Sequence, residues 1–376
     1  MRYFKMSIVV VAVFCLVTSA FSAEWVSKRL TNNTGASTYS DVAASGENVY
    51  VVWEDDTPGN IEVFFRMSVD DGGTWQAAKR LTYTTGNSCY PDVAVSGDNV
   101  YVVWEDGTVG NPEVYFRKSS DNGASWQAAK RLTDTTNCSY TPQIAVSGAN
   151  IYIVWQETVS GYGAVWFLKS IDGGAHWQPM KMLTDNLYDT RNPALAVSGA
   201  NVYMAWSDLT PGNYDIYFRM SADSGATWQG KKRISNNTGH SLTPHIAGKG
   251  ANVYIAWEDR TPGNPEIYFR KSADNGATWL TAQRITNNIG GSCLGNIALR
   301  QSTLFLVWED DSSGNHDIFM RQSANGGSSW QAAKQLTNNA GYSEDPAAAV
   351  NDTNVFVVWE DTTPGNQEIF IKLAAI

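Results

Sequence analysis

Apolar and polar residues are arranged in short runs that return in the same order along the chain. The unit is clearest from residue 91. PDVAVSG is a short strand, and SGDN is a tight turn rich in Gly, Asp and Asn. VYVVWED is a second strand, nearly all β-branched or aromatic, which predicts burial on both faces. GTVGNP is a loop, EVYFRKS a third strand of alternating character, and WQAAKRLT a fourth. A polar loop leads to the next unit. No segment shows a helical period.

The spacing is fixed. Trp53, Trp104, Trp155, Trp206, Trp257, Trp308 and Trp359 stand 51 residues apart. The octet SADNGATW at 272–279 has relatives at Ser68, Ser119, Ser170, Ser221 and Ser323, again 51 apart. Four antiparallel strands repeated at this length predict a β-propeller, with PDVAVSG-type strands innermost. The ends explain why seven tryptophans face six octets. Residues 25–31, WVSKRLT, read as a lone fourth strand, and the chain ends in EIFIKLAAI, a third strand with nothing after it. The expected fold is therefore all-β: a seven-bladed propeller of four-stranded antiparallel blades over residues 24–376, closed by the N-terminal strand joining the last blade, which removes the open edges.

Ser-x-Asp-x-Gly-x-Thr-Trp resembles the Asp-box, or BNR repeat, of the sialidase-like β-propellers. The resemblance covers essentially all of residues 24–376. It implies that the boxes sit between third and fourth strands, away from the catalytic face. The residue types agree: Asp accepts hydrogen bonds within its own turn, Gly supplies unusual backbone angles, and Trp buries a large ring. Asp70, Asp121, Asp172, Asp223 and Asp274 hold the acidic position, and Asn325 replaces it in the sixth box. Asn keeps the acceptor and loses the charge, so the box is read as a structural turn and neither a metal site nor a catalytic site.

The first 23 residues differ from the rest. Arg2 and Lys5 precede the apolar run IVVVAVFCLV, and the small residues after it allow cleavage following Ala20 or Ser22. This reads as a secretory signal peptide, since the run is short for a membrane span of about 20 residues. The expected location is secreted, periplasmic or at the cell surface. Without Arg2 and Lys5 the chain carries 25 basic and 37 acidic residues, a net charge of −12. Such a surface disfavours nucleic acid and anionic lipid, and no second long apolar run suggests membrane insertion. Cys89, Cys138 and Cys293 are too few for a disulfide scaffold. Cys89 and Cys293 lie four periods apart and are not expected to bond, whereas Cys89 and Cys138 occupy adjacent loops and are the one plausible pair.

The resemblance also implies what a sialidase needs: three arginines gripping a carboxylate, a Tyr–Glu pair, an Asp and an Arg-Ile-Pro motif on six blades. Here Arg-Ile-Pro is missing and the blades count seven. Most arginines recur at repeat positions, on third strands (Arg66, Arg117, Arg219, Arg270, Arg321) and fourth strands (Arg29, Arg80, Arg131, Arg233, Arg284), as expected of residues serving the fold. Only Arg191 and Arg260 fall in loops of the expected catalytic face. The carboxylates form a near-uniform ring at Glu54, Glu105, Glu258, Glu309 and Glu360, with Gln156 and Ser207 in the other two blades. A uniform ring does not give the two unlike carboxyl environments of a glycosidase. It reads either as a tie between second strand and loop or as a cation-binding rim. No Asp-x-Asp-x-Asp-Gly loop supports calcium, the histidines lack zinc spacing, and no cofactor or catalytic residue is assigned.

The repeat fails most clearly in the third blade, QETVSGYGAVW, and in the loop after it, TDNLYDTRNP. These segments should gather Glu157, Tyr162, Tyr188, Asp189 and Arg191 in one sector, and Arg260 shares their face. Aromatic, acidic and guanidinium groups together suit a polar ligand such as a sugar. The leading expectation is an exported binding module for a glycan or an extracellular protein. The alternatives are a sialidase-like glycosidase with a divergent site and a structural surface module.

Overall fold

The computed structural model describes residues 25–376 apart from 186 and 211, and for Leu294 the backbone alone. The leader assigned to residues 1–23 lies outside the described residues. All regular structure among the described residues is β. Seven four-stranded antiparallel sheets follow one another around a ring. Blade 1 comprises Ser37–Ser45, Asn48–Asp55, Glu62–Ser68 and Lys79–Arg80, and blades 2 to 6 repeat it.

The seventh blade is built from both ends of the chain. Ser343–Val350, Asn354–Asp361 and Glu368–Ala375 are joined by Val26–Arg29. The register pairs Val26 with Leu373 and Arg29 with Phe370. Leu30 N–H donates to the Ile369 carbonyl at 2.7 Å, and Arg29 Nη2 reaches Glu368 Oε1 at 2.7 Å. The same ion pair links fourth to third strand elsewhere, as in Arg80–Glu62 and Arg284–Glu266, both 2.7 Å. Third-strand arginines reach the preceding blade: Arg219 Nη1 donates to the Leu183 carbonyl at 2.6 Å. Most of these repeated arginines are consumed by the fold; Arg321 Nε, in the sixth blade, is buried without a partner.

Each second-strand tryptophan is buried and stacked on its third-strand neighbour, as in Trp53 and Phe64 at 5.9 Å. Its indole N–H donates to the Asp two residues on, Trp53 Nε1 to Asp55 Oδ2 at 3.2 Å. The same carboxylate accepts from Ser37 Oγ at 2.8 Å, Asn33 Nδ2 at 2.6 Å and Thr57 N–H at 3.0 Å. The Asp of Trp-Glu-Asp therefore ties the second strand into its loop, and its burial is tolerable because its oxygens are satisfied.

The fourth strands are shorter than the sequence suggests. Only two residues pair in blades 1 to 6, Lys130–Arg131 for example. The preceding WQAA stretch leaves the ladder because its tryptophan packs on another blade. Trp126 meets Phe65 edge-on at 5.0 Å, and Trp279 meets Phe218 at 5.0 Å. Box glycines allow that approach. Gly276 has φ +77°, and a Cβ there would collide with the Phe218 ring.

The box itself is a closed hydrogen-bond circuit. Ser272 Oγ donates to Asp274 Oδ1 at 2.7 Å, Thr278 N–H to Oδ1 at 2.8 Å and Thr278 Oγ1 to Oδ2 at 2.6 Å. These donors hold the Asp274 carboxyl down to about 2. Asn325 reproduces the circuit: Ser329 N–H donates to its Oδ1 at 2.9 Å, and its Nδ2 donates to Ser329 Oγ at 2.8 Å. Asp274→Asn should therefore lower the melting temperature less than Asp274→Ala, which removes the acceptor of all three donors. Equal losses in thermal unfolding would contradict the acceptor role.

Candidate functional site

The inner strand of every blade is bent by a bulge near its start. Register shifts occur between Thr38 and Asp41, Cys89 and Asp92, Tyr140 and Gln143, and at the matching place in the other four blades. In six of the seven bulges one residue takes left-handed backbone: Tyr39 (φ 48°), Tyr90 (51°), Thr141 (46°), Asn192 (51°), Thr243 (45°) and Asp345 (49°). For β-branched threonine this conformation is costly and needs a support.

At Tyr39, Tyr90, Thr141 and Asp345 the support is the Glu of Trp-Glu-Asp in the preceding blade, whereas Gln156 and Ser207 stand at that position before Asn192 and Thr243. Tyr90 N–H donates to Glu54 Oε2 at 2.9 Å, Thr141 N–H to Glu105 Oε2 at 2.8 Å and Asp345 N–H to Glu309 Oε2 at 3.2 Å. Glu360 accepts from Tyr39 and so carries the pattern across the chain ends. The glutamate ring is thus a lacing between blades, where the sequence suggested a tie within each blade. Burial pushes Glu105 and Glu309 up to about 7 and Glu360 to about 9.

The seven bulges surround a central cavity of about 320 Å³. It opens on the face opposite the boxes: box residue Asp71 donates its N–H to Glu47 in the hairpin at the far end of the inner strand. Among the described lining residues are Tyr39, Asp41, Tyr90, Asp92, Gln143, His245, Asn296 and Asp345, with no Arg or Lys. Tyr39 and Tyr90 lie with ring centres 4.7 Å apart, tilted by 58°. Asp41 and Asp92 are hydrogen-bonded to each other. Asp41 Oδ2 also accepts from Val93 N–H at 3.0 Å, and Asp92 Oδ2 from Ile144 N–H at 2.6 Å. Burial raises Asp41, and burial with the charge of Asp41 raises Asp92 well above the usual range. Asp345 pairs in the same way with Glu360. Burial lowers His245 to about 4, so its imidazole is neutral near pH 7. The hydroxyls of Ser40, Thr141 and Thr243 have no protein partner.

The cavity positions are where the repeat diversifies inside otherwise well-kept strands. The bulge residue runs Tyr39, Tyr90, Thr141, Asn192, Thr243, Leu294, Asp345, and the residue two on runs Asp41, Asp92, Gln143, Ala194, His245, Asn296, Ala347. The flanking position is Ser or Thr in all seven blades, from Ser37 to Ser343. Comparing the repeats column by column would have singled out this wall from sequence alone.

The third-blade sector is built differently. There the second and third strands lengthen to Asn150–Val159 and Tyr162–Ser170 around a two-residue turn with φ 53° at Ser160 and 88° at Gly161. The neighbouring loop docks on this hairpin. Gly163 N–H donates to Asp189 Oδ1 at 2.7 Å, and Thr190 Oγ1 to the Gly163 carbonyl at 2.8 Å. Asp189 Oδ2 takes Arg191 Nε at 2.5 Å and Tyr214 Oη at 2.6 Å, and the guanidinium lies 5.3 Å from the Tyr214 ring centre. Asp189 and Arg191 are thus together, with Tyr214 as a partner that the sequence reading missed. Tyr162 and Tyr188 are exposed. Glu157 turns inward: it holds the Asp place of its blade, accepting from Trp155 Nε1 at 3.2 Å and Asn137 Nδ2 at 3.1 Å. Arg260 lies in blade 5 against Glu258 at 2.6 Å. None of these six residues lines the cavity. The three cysteines are free, and burial, with nearby carboxylates, pushes Cys89 and Cys293 up to about 12.

Comparison with known proteins agrees with this architecture. The endosialidase of phage phi92 superposes with a TM-score of 0.55 over 94% of this chain and 69% of its own, at 12% identity. A mutant of Trypanosoma rangeli sialidase displaying trans-sialidase activity gives 0.54 at 12% identity, over 93% of this chain. This chain spans 58% of that sialidase's length. The polysaccharide lyase Uly1 gives 0.62 at 8% identity, over 92% of this chain and 91% of its own. At such identities the likeness is one of fold. No curated protein matches the chain in sequence. A family model described as a BNR repeat-like domain matches residues 145–357, more than half of the chain, and with six boxes folded as described the chain belongs to that family.

Proposed function

We propose that this protein is an exported glycan-binding propeller, with the ligand taken in the central cavity on the face opposite the boxes. The observation that carries the reading is the wall itself. Seven bulges surround the cavity, six with left-handed backbone and four of these held by a neighbouring glutamate, and they present unpartnered hydroxyls together with amide and carboxyl groups beside two tyrosine faces. Unsatisfied polar groups beside an aromatic surface suit a polyhydroxylated ligand, which offers both donors and apolar ring faces. Structural neighbours named as sialidases and a polysaccharide lyase support a carbohydrate ligand. The described lining residues include no Arg or Lys to grip a sialic acid carboxylate, which favours neutral or cationic ligands.

A glycan array followed by calorimetry on a hit tests this. One site per chain is expected. Tyr90→Ala should weaken binding at least about tenfold, near 1.4 kcal/mol, with little change in melting temperature. Arg191→Ala should leave affinity nearly unchanged. The opposite pattern would move the ligand to the third-blade sector, and several equivalent sites would move it to the repeated rim. Turnover of a hit, read by product release, would make the protein an enzyme.

A further inference from the structure

We propose that the central cavity selects a ligand carrying a protonated amine, an amino sugar or a similarly basic polyol, whose ammonium sits between the paired carboxyls of Asp41 and Asp92 and the faces of Tyr39 and Tyr90. The inference rests on the cavity being the ligand site. Asp41 and Asp92 line the cavity, and each spends one oxygen on a backbone N–H of the next blade. Asp345 also lines it, beside Tyr39 and Glu360. Glu54, Glu105 and the Cys89 thiol lie near Tyr90, and Glu344 near Asp345. His245, among the other lining residues, is neutral near pH 7. Every group with a charge to offer here is therefore anionic. The tyrosine faces add the negative quadrupole that attracts an organic cation.

A second observation points to a ligand beyond the acids. Ser40 lines the cavity at 7% exposure, yet its Oγ has no protein partner. Leaving such a group unmet is costly, and an ammonium or sugar hydroxyl would meet it. Among the described residues no three or more His, Cys, Asp or Glu side chains are arranged to hold a metal ion. An organic cation fits better, because it can divide its N–H donors between carboxylates and hydroxyl.

The charge balance gives a signature. Two hydrogen-bonded carboxyls hold one proton between them. An arriving ammonium replaces that proton with its own N–H donors, so binding leaves both groups ionised and sends one proton to solvent. Calorimetry at pH 6, in buffers of differing ionisation enthalpy, reads this directly. The probes are a β-1,4-glucosamine tetramer, its N-acetylated counterpart and a β-1,4-glucose tetramer. The glucosamine tetramer should bind at least about tenfold tighter than the other two and release roughly one proton per ligand. Asp92→Asn keeps an acceptor for Ile144 and should remove both the preference and the proton release. Equal affinity for all three tetramers would overturn the inference while leaving the glycan reading intact. A preference that survives Asp92→Asn would also overturn it. If no tetramer binds but 1,4-diaminobutane does, with the same proton release, the cationic class stands and the glycan reading falls. No binding of any amine would overturn the inference.

Discussion

Removing residues 25–31 should lower the melting temperature of a chain that begins at residue 24 by about 10 °C or more. The strand Val26–Arg29 is the outer edge of the seventh blade, so its loss leaves Glu368–Ala375 without a partner on one side. Glu368 is fully buried and would lose Arg29. Arg29 is itself about a third exposed, so the cost is that of leaving a buried acceptor without a partner, about 1 to 3 kcal/mol. Leu30 is 3% exposed, and losing such a buried leucine costs about 2 to 5 kcal/mol more. Together these are a large share of the stability of an ordinary domain, about 5 to 15 kcal/mol. The Ile369 N–H would also lose Thr31 Oγ1, its acceptor at 2.8 Å. Thermal unfolding of chains beginning at residue 24 and at residue 32 makes the comparison. Identical transitions would show that the ring does not depend on its clasp.

Stability should fall between pH 5 and pH 8, the reverse of what ordinary carboxylate pairing gives. Glu105 and Glu309 titrate near 7 and Glu360 near 9 in the folded chain, against about 4.3 when unfolded. Across that window the folded state holds protons that the unfolded state has released, so stability drops as pH rises. Glu105 alone, 8% exposed, contributes on the order of 3 kcal/mol. Two groups work the other way at lower pH. Asp70, Asp121 and Asp274, held near 2 by their boxes, stabilise the fold above about pH 4 and cease to do so as pH falls towards 2. His245, neutral by burial with a value near 4, withdraws stability as pH falls from about 6.5 through 4. A maximum near pH 5 follows. Urea unfolding across this range checks it, and Glu105→Gln should flatten the slope and stabilise the protein at pH 8. Gln156 occupies the equivalent place in blade 3, so the substitution is one that the architecture already carries. A stability that rises from pH 5 to 8 would refute the assignment.

Blade number, closure and box placement were legible in the sequence because one spacing recurs without insertion, and a single offset locates each tryptophan and each octet. The fourth strands were less legible. WQAAKRLT has the composition of a strand throughout, but Trp126 and its equivalents answer to a phenylalanine of the neighbouring blade, which no local pattern records. The cavity wall shows only when the repeats are compared column by column; within a single blade it is hidden, for a related reason. Side-chain direction in a strand follows strict alternation, and the bulge between Thr38 and Asp41 breaks that parity by one residue. Within one blade Asp41 and Tyr39 therefore look like any strand residues. The loops around Tyr162 and Asp189 drew attention because they change the repeat visibly, through altered turn residues. Glu157 shows the limit of that signal: it belongs to an altered segment, yet by position it counts with Asp55 and Asp106 and does their work.

The bulge has a further consequence. The same backbone forms whether the blade before it supplies a glutamate, as at Tyr90 and Thr141, or Gln156 or Ser207, as before Asn192 and Thr243, so the shape of the wall does not depend on which side chain the wall carries. Tyrosine, threonine, asparagine and aspartate all occupy the same left-handed position. Framework and reading surface are thus separable, as they are in an antibody domain, where loops vary over a constant sandwich. A gene that grows by duplicating one 51-residue unit can diversify its recognition one codon per blade without renegotiating the fold. The same freedom makes this ring a practical starting point for selection: a library randomised at the bulge residues and at the positions two beyond them should stay folded while sampling new specificities.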